Sequence, residues 1–260
     1  MLKRNTLLRA VSLLALCVLL AACAGPLDRK LVTGQGSDAY FASLNPAFAQ
    51  MSEHEQKAFN WAVSDIDQDQ LHARYPQATP RQIIRGEVAA VLEKYPARIA
   101  ELAPRAAAAE AMRARLMRIT VPEVRLKLEK DFFGLMPVVD MVIDNGSDLS
   151  LSKMDWDLQL HVDGGETPVA SYWATTNFEQ EGGLKPGQRI SKRVRIGGVG
   201  GDGAWTTLEV RNASERMVQV YHRFEGARDF GNRQVLGEDP KAEIERLTAV
   251  IEAANSYKDI

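Results

Sequence analysis

The stretch Lys153-Met154-Asp155-Trp156-Asp157-Leu158-Gln159-Leu160-His161-Val162-Asp163 alternates without a break. Met154, Trp156, Leu158, Leu160 and Val162 fall on one side of an extended chain. Lys153, Asp155, Asp157, Gln159, His161 and Asp163 fall on the other, which predicts a strand with one buried and one wet face. Gly164-Gly165 ends it. The same period of two runs on both sides of this strand. Val121, Val124, Leu126 and Leu128 begin it, Val139, Met141 and Ile143 continue it, and Asp144-Asn145-Gly146-Ser147 marks a turn. Further strands are predicted over residues 169–175, 190–196, 206–211 and 217–224, making seven short strands between about residues 120 and 226. That number of strands with turn signals between them, and a tryptophan on the third, fits an immunoglobulin-like sandwich without its inter-sheet disulfide. An open antiparallel sheet packed on helices carries the same periodicity.

Before Thr120 the period is helical. Ser37 is placed to cap a short helix carrying Tyr40, Phe41 and Leu44, interrupted at Asn45-Pro46. Ser52 and Glu55 have the spacing of a capping box, and Phe59, Ala62, Val63 and Ile66 form one apolar face behind it. Thr79-Pro80 with Gln82 announces a helix whose stripe is Ile84, Val88, Val91, Leu92 and Tyr95. Pro96 is expected to close it and Pro104 to break the segment that follows, after which Arg105–Arg118 is alanine-rich with Met112, Leu116 and Ile119 on one side. Asp239-Pro240 opens a last amphipathic helix with Ile244, Leu247, Val250 and Ile251 on one side. The predicted fold class is therefore α+β. A helical region spans 37–119, the β-sandwich 120–226, and a linker with the C-terminal helix 227–260.

The N-terminus has a different grammar. Lys3, Arg4 and Arg9 precede an apolar run from Ala10 to Leu20, and small residues follow. This is the order of a secretory signal peptide, and the run is too short to span a bilayer, which needs about 20 residues. Leu20-Ala21-Ala22-Cys23 resembles the lipobox of bacterial lipoproteins. The resemblance implies cleavage of residues 1–22 before Cys23 and a diacylglyceryl group on its sulfur, with residues 23–36 as a lipidated tether. Ala24, which is not aspartate, implies by the same analogy sorting to an outer membrane, facing the periplasm. The layout of signal, lipobox, helical segment (residues 36–44) and later β modules is similar to that of uncharacterised bacterial envelope lipoproteins. No catalytic residue comes across from that likeness.

Processing would remove 22 of 260 residues and leave 238, enough for one large domain or two small ones. It would remove three of 32 basic residues, leaving 29 against 34 acidic ones, a net charge of −5. That balance gives no electrostatic reason to expect nucleic acid. Cys17 leaves with the signal, so Cys23 is the single remaining cysteine and no internal disulfide can form.

Strings that mimic chemical motifs lack their context. Gly198-Val199-Gly200-Gly201-Asp202-Gly203 fits the dinucleotide pattern, yet Ala204–Leu208 reads as strand where a helix is required. Asp65–Gln70 starts like a calcium loop but has Gln70 and Pro76 where glycine and glutamate belong. Ser150-Leu151-Ser152-Lys153 opens a strand and has no S-D-N or K-T-G partner. His54, His72, His161 and His222 form no ligand pair, and His222 between Val220 and Phe224 reads as a hydrogen-bonded core histidine. No catalytic residue, metal or cofactor is expected.

Two features suit binding. Adjacent Tyr172 and Trp173 point to opposite faces of their strand, and Trp205 is a further aromatic candidate. Arg189, Arg193 and Arg195 share one face, a modest basic patch whose ordinary reading is a solvated face paired with Glu209. The expected partners are a bilayer through acylated Cys23 and another envelope protein. The expected role is a non-enzymatic interaction or assembly module. Alternatives are a small-ligand or glycan-binding module on the sandwich and, third, a periplasmic hydrolase.

Overall fold

The computed structural model describes residues 25–260. The predicted signal (residues 1–22) and the cleavage and lipidation motif Leu20, Ala21, Ala22 and Cys23 lie outside them. The chain divides into two compact units. One holds the described residues up to Glu101 together with Ala242–Ile260, and the other is Leu102–Lys241.

In the first unit α1 (Ser37–Phe48), α2 (Glu53–Val63) and α3 (Gln68–Arg74) precede α4 (Pro80–Leu116), whose residues up to 101 belong here. α2 starts as predicted. The Ser52 hydroxyl accepts from the Glu55 N–H, and the Glu55 carboxylate accepts from the Ser52 N–H at 2.8 Å. Thr79 and Gln82 cap α4 by the same exchange of side chain and backbone. The acidic run Asp65–Gln70 also has a structural task, because Asp67 Oδ1 accepts from the Gln70 N–H and caps α3. Leu44, Ala47, Phe59, Ile84, Val88 and Val91 share a core with Ala254 and Ile260 of the C-terminal segment. α6 (Lys241–Ser256) is thus tied into the helical unit.

Three helix expectations are corrected. Ser37 does not cap α1; Gly36 holds that position, and the Ser37 hydroxyl donates to Gln68. α1 runs through Pro46 to Phe48. α4 runs 37 residues through both Pro96 and Pro104. Each internal proline removes one helical hydrogen bond, at a cost of about 3 kcal/mol. The flanking alanines, leucines, glutamates and arginines are strong helix formers. Buried residues on either side, Val88 and Val91 before and Ala109 and Leu116 after, hold each stretch in a core.

The second unit carries six strands. They are β1 (Ile119–Asp131), β2 (Gly134–Asn145), β3 (Lys153–Val162), β4 (Ala170–Asn177), β5 (Arg189–Arg195) and β6 (Arg216–Arg228). They form two antiparallel three-stranded sheets, β1-β2-β5 and β4-β3-β6. Val139, Met141 and Ile143 from one sheet and Met154, Trp156, Leu158 and Leu160 from the other meet in a single hydrophobic cluster. The Trp156 indole N–H, fully enclosed there, donates to the Thr176 hydroxyl at 2.9 Å.

The expected strand over 206–211 is absent. Residues 203–206 form a 3₁₀ turn and Leu208–Asn212 a short helix, α5. Asp202 and Thr207 each accept a backbone N–H in turn, which captures the chain as two capped turns. The expected wet face of β3 is also partly dry. Asp155 and His161 are buried, because β3 is the central strand and side chains of β4 and β6 cover it from both sides. The polar groups are partly satisfied. Thr175 donates to Asp155 at 2.7 Å, and His161 Nδ1 donates to the Gly165 carbonyl at 2.9 Å.

Candidate functional site

The aromatic pair in β4 separates as its period requires. Tyr172 packs half-buried against the core of the β unit, while Trp173 stands 60% exposed on the outer face. There the register sets Trp173, Asp157 and Tyr221 in one row across β4, β3 and β6. Gln159 donates to Asp157 at 2.8 Å, and the Arg223 guanidinium lies 4.1 Å from the centre of the Trp173 ring. The result is a shallow platform with two aromatic edges around amide and carboxylate groups.

Trp205 does not join it. It is fully buried in the core of the β unit, so its candidacy as an exposed binding residue is withdrawn. The reversal has the same cause as the lost strand: the 3₁₀ turn directs the indole inward and leaves Leu208 outside.

Arg189, Arg193 and Arg195 do share the outer face of β5, but they are not an uncompensated patch. Arg189 pairs with Glu123 at 2.6 Å and Asp144 at 3.1 Å, Arg193 with Glu129, and Arg195 with Asp131 at 3.0 Å. The partners come from β1 and β2 rather than from Glu209. The ladder is solvent-exposed, and each such pair contributes at most about 1 kcal/mol. Its charge balance removes most of the attraction for an anion.

Between the edge strands β4 and β5 lies a groove of about 440 Å³. It brings together four of the predicted residues, Tyr172, Trp173, Arg193 and Arg195, with Asn177 and Lys192. Lys192 points inward, pairs with Glu181 at 2.7 Å and donates to the Asn177 carbonyl, which ties β5 to the end of β4. An inward charge of this kind also guards an edge strand against unwanted pairing.

His222 is half-buried, with its Nε2 hydrogen-bonded to the Ile119 carbonyl and its ring against Trp156 and Phe224. The glycine string 198–203 follows β5 as a loop. Both sheets are antiparallel, so the parallel strand–helix unit a dinucleotide site needs is not built here. Among the described residues no three His, Cys, Asp or Glu side chains come together as a metal site would require. No helix among them is long and apolar enough to cross a membrane.

Sequence reasoning missed two features. One is the β1–β2 turn, where Phe132 and Phe133 stand exposed. The other is an apolar groove of about 350 Å³ in the helical unit, walled by Phe41, Leu44, Phe48 and Phe59. The turn was hidden because its two central residues are not turn formers. The groove was hidden because its walls come from three helices whose mutual packing no single stripe reveals.

No protein-family model matches this chain, and neither does any curated protein or solved structure.

Proposed function

We propose that this chain is a bacterial envelope lipoprotein, acylated at Cys23 and held at the outer membrane facing the periplasm. Its β unit serves as a non-enzymatic docking module for another envelope protein. The observation that carries the reading is the run from Lys3 to Cys23, in which a basic start, a short apolar segment and Leu20-Ala21-Ala22-Cys23 follow in order. More than one acyl chain gives stable anchoring where a single chain does not.

The finer fold reading is an immunoglobulin-like sandwich. Its support is the strand order. β1-β2-β5 and β4-β3-β6 correspond to A-B-E and C′-C-F of that fold, with β6 left as an edge among the described residues. The faces and sheet edges of such a sandwich offer a partner surface to dock on.

A second reading is favoured by one feature, the Trp173–Asp157–Tyr221 row. An exposed indole beside hydrogen-bonding groups suits the apolar face and hydroxyls of a sugar ring.

Crosslinking in intact cells followed by affinity purification separates these. The docking reading predicts one stoichiometric envelope protein recovered with the anchored chain and lost with Cys23→Ser. Recovery of no specific protein, together with quenching of tryptophan fluorescence by envelope glycans that Trp173→Ala abolishes, would replace it with the second reading.

A further inference from the structure

The two most exposed large apolar side chains of the β unit, Phe132 and Val199, come from two neighbouring loops. Phe132 is 91% exposed and Phe133 66% exposed at the tip of the β1–β2 hairpin, and Val199 is 83% exposed in the loop after β5. The loops adjoin, since a Cβ on Gly200 would lie 4.0 Å from the Phe133 Cβ, and Phe133 lines one cleft with Gly197–Gly200.

Nothing in the turn itself calls for phenylalanine. The closing pair is Asp131 and Gly134, with the Asp131 carboxylate accepting the Phe132 N–H at 2.6 Å and Gly134 at φ +131°. Two-residue hairpin turns take Asn, Asp or Gly. Two phenylalanines there expose apolar surface that no neighbour covers.

The chemistry of the patch selects its partner. Phe132–Leu135 and Ile196–Gly201 carry no charged side chain, in a chain where a quarter of the residues are charged. The second loop is four glycines around one valine between Ile196 and Asp202, so it presents backbone and a single isopropyl group. Directly behind the tip stand Lys130 and Arg195, the latter paired with Asp131. An uncharged end with Lys130 and the neutralised Arg195–Asp131 pair behind it matches hydrocarbon followed by the polar headgroup layer. A charge-free tip also enters a bilayer interface without the cost of desolvating an ion.

We propose that Phe132, Phe133 and Val199 form a membrane-inserting tip that dips into the interface of a phospholipid bilayer, with Lys130 meeting the headgroups. The proposal deepens the envelope reading, which supplies the bilayer, but the tip does not require acylation.

The test therefore dispenses with the anchor. The buried residues of both cores lie between Leu27 and Ile260, so residues 23–260 with Cys23→Ser retain them. This chain is floated with vesicles of phosphatidylethanolamine and phosphatidylglycerol. It should partition onto them, and Phe132→Ser/Phe133→Ser should lower the partition coefficient by about tenfold or more with an unchanged thermal melt. Val199→Ser should produce a smaller loss in the same direction. Binding should persist in part at about 0.5 M salt, where headgroup attraction is screened. Failure of the parent to float, equal flotation of parent and double variant, or complete loss in salt would each overturn the tip. Finding Cys23 unmodified in cells would overturn the anchor and leave this result untouched.

Discussion

The guanidinium of Arg223 on β6 lies 4.1 Å from the ring centre of Trp173 on β4, reaching across β3 on the outer face of the β4-β3-β6 sheet. The contact orients an exposed indole without burying it. An exposed cation–π pair is worth about 0.5–1 kcal/mol, whereas removing a buried tryptophan costs about 3–5 kcal/mol. Trp173→Ala should therefore lower unfolding free energy by no more than about 1 kcal/mol. Trp156→Ala, which empties the core and removes the indole N–H that donates to the Thr176 hydroxyl, should cost several times as much. Denaturant melts of the two variants check this contrast, and comparable losses would mean that Trp173 is a packing residue.

In the helical unit, Gly86 of α4 sits against the ring of Tyr75. A Cβ there would lie 2.5 Å from the phenol oxygen, which donates to Glu87 at 2.7 Å while Arg74 pairs with the same carboxylate. In an open helix Gly→Ala gains about 1 kcal/mol. Here Gly86→Ala should destabilise by about 1–3 kcal/mol, because the ring is displaced from its partner. A raised melting temperature for this variant would show that the ring moves freely.

The same phenol sets an alkaline limit. Burial, reinforced by the Glu87 carboxylate, raises the Tyr75 pKa well above its ordinary value of 10. The unfolded chain deprotonates near pH 10 while the folded one holds its proton, so stability is present below that pH and falls as pH rises through it. Tyr75→Phe should flatten the alkaline limb of a stability-against-pH curve, measured by melts between about pH 8 and pH 11.

At the acid end Asp239 is the group to follow. The Arg113 guanidinium at 2.6 Å, with help from the Lys241 N–H, lowers its pKa below the usual carboxylate value. The stability this adds is present above the unfolded pKa and is lost as pH falls through the folded one. Asp239→Asn should cost about 1 kcal/mol at neutral pH and nothing measurable in strong acid, so the two melting curves converge on acidification. A constant gap at every pH would place the effect in packing.

What the sequence made legible was whatever a local period or cap determines. Ser52 with Glu55 announced α2, and the alternation through Trp156 located the central strand. Competition between local and distant forces was not legible. Pro96 and Pro104 read as stops, yet the buried residues on either side hold one helix through both. Thr207 read as part of a strand because its apolar neighbours alternate, but its hydroxyl accepts the Val210 N–H and turns the chain. Of the candidate surface, Trp173 was readable from strand parity. The acids that neutralise Arg189, Arg193 and Arg195 were not, because they sit some 45–66 residues away on β1 and β2. The Phe132-Phe133 tip was missed for the opposite reason, since its residues contradict the turn they make.

The central claim is the anchor, and mass spectrometry of the N-terminal peptide of the chain isolated from cell membranes tests it most directly. The account predicts a chain beginning at Cys23 whose sulfur bears a diacylglyceryl group. A chain that retains residues 1–22, or one that begins at another residue with the Cys23 thiol unmodified, would contradict it.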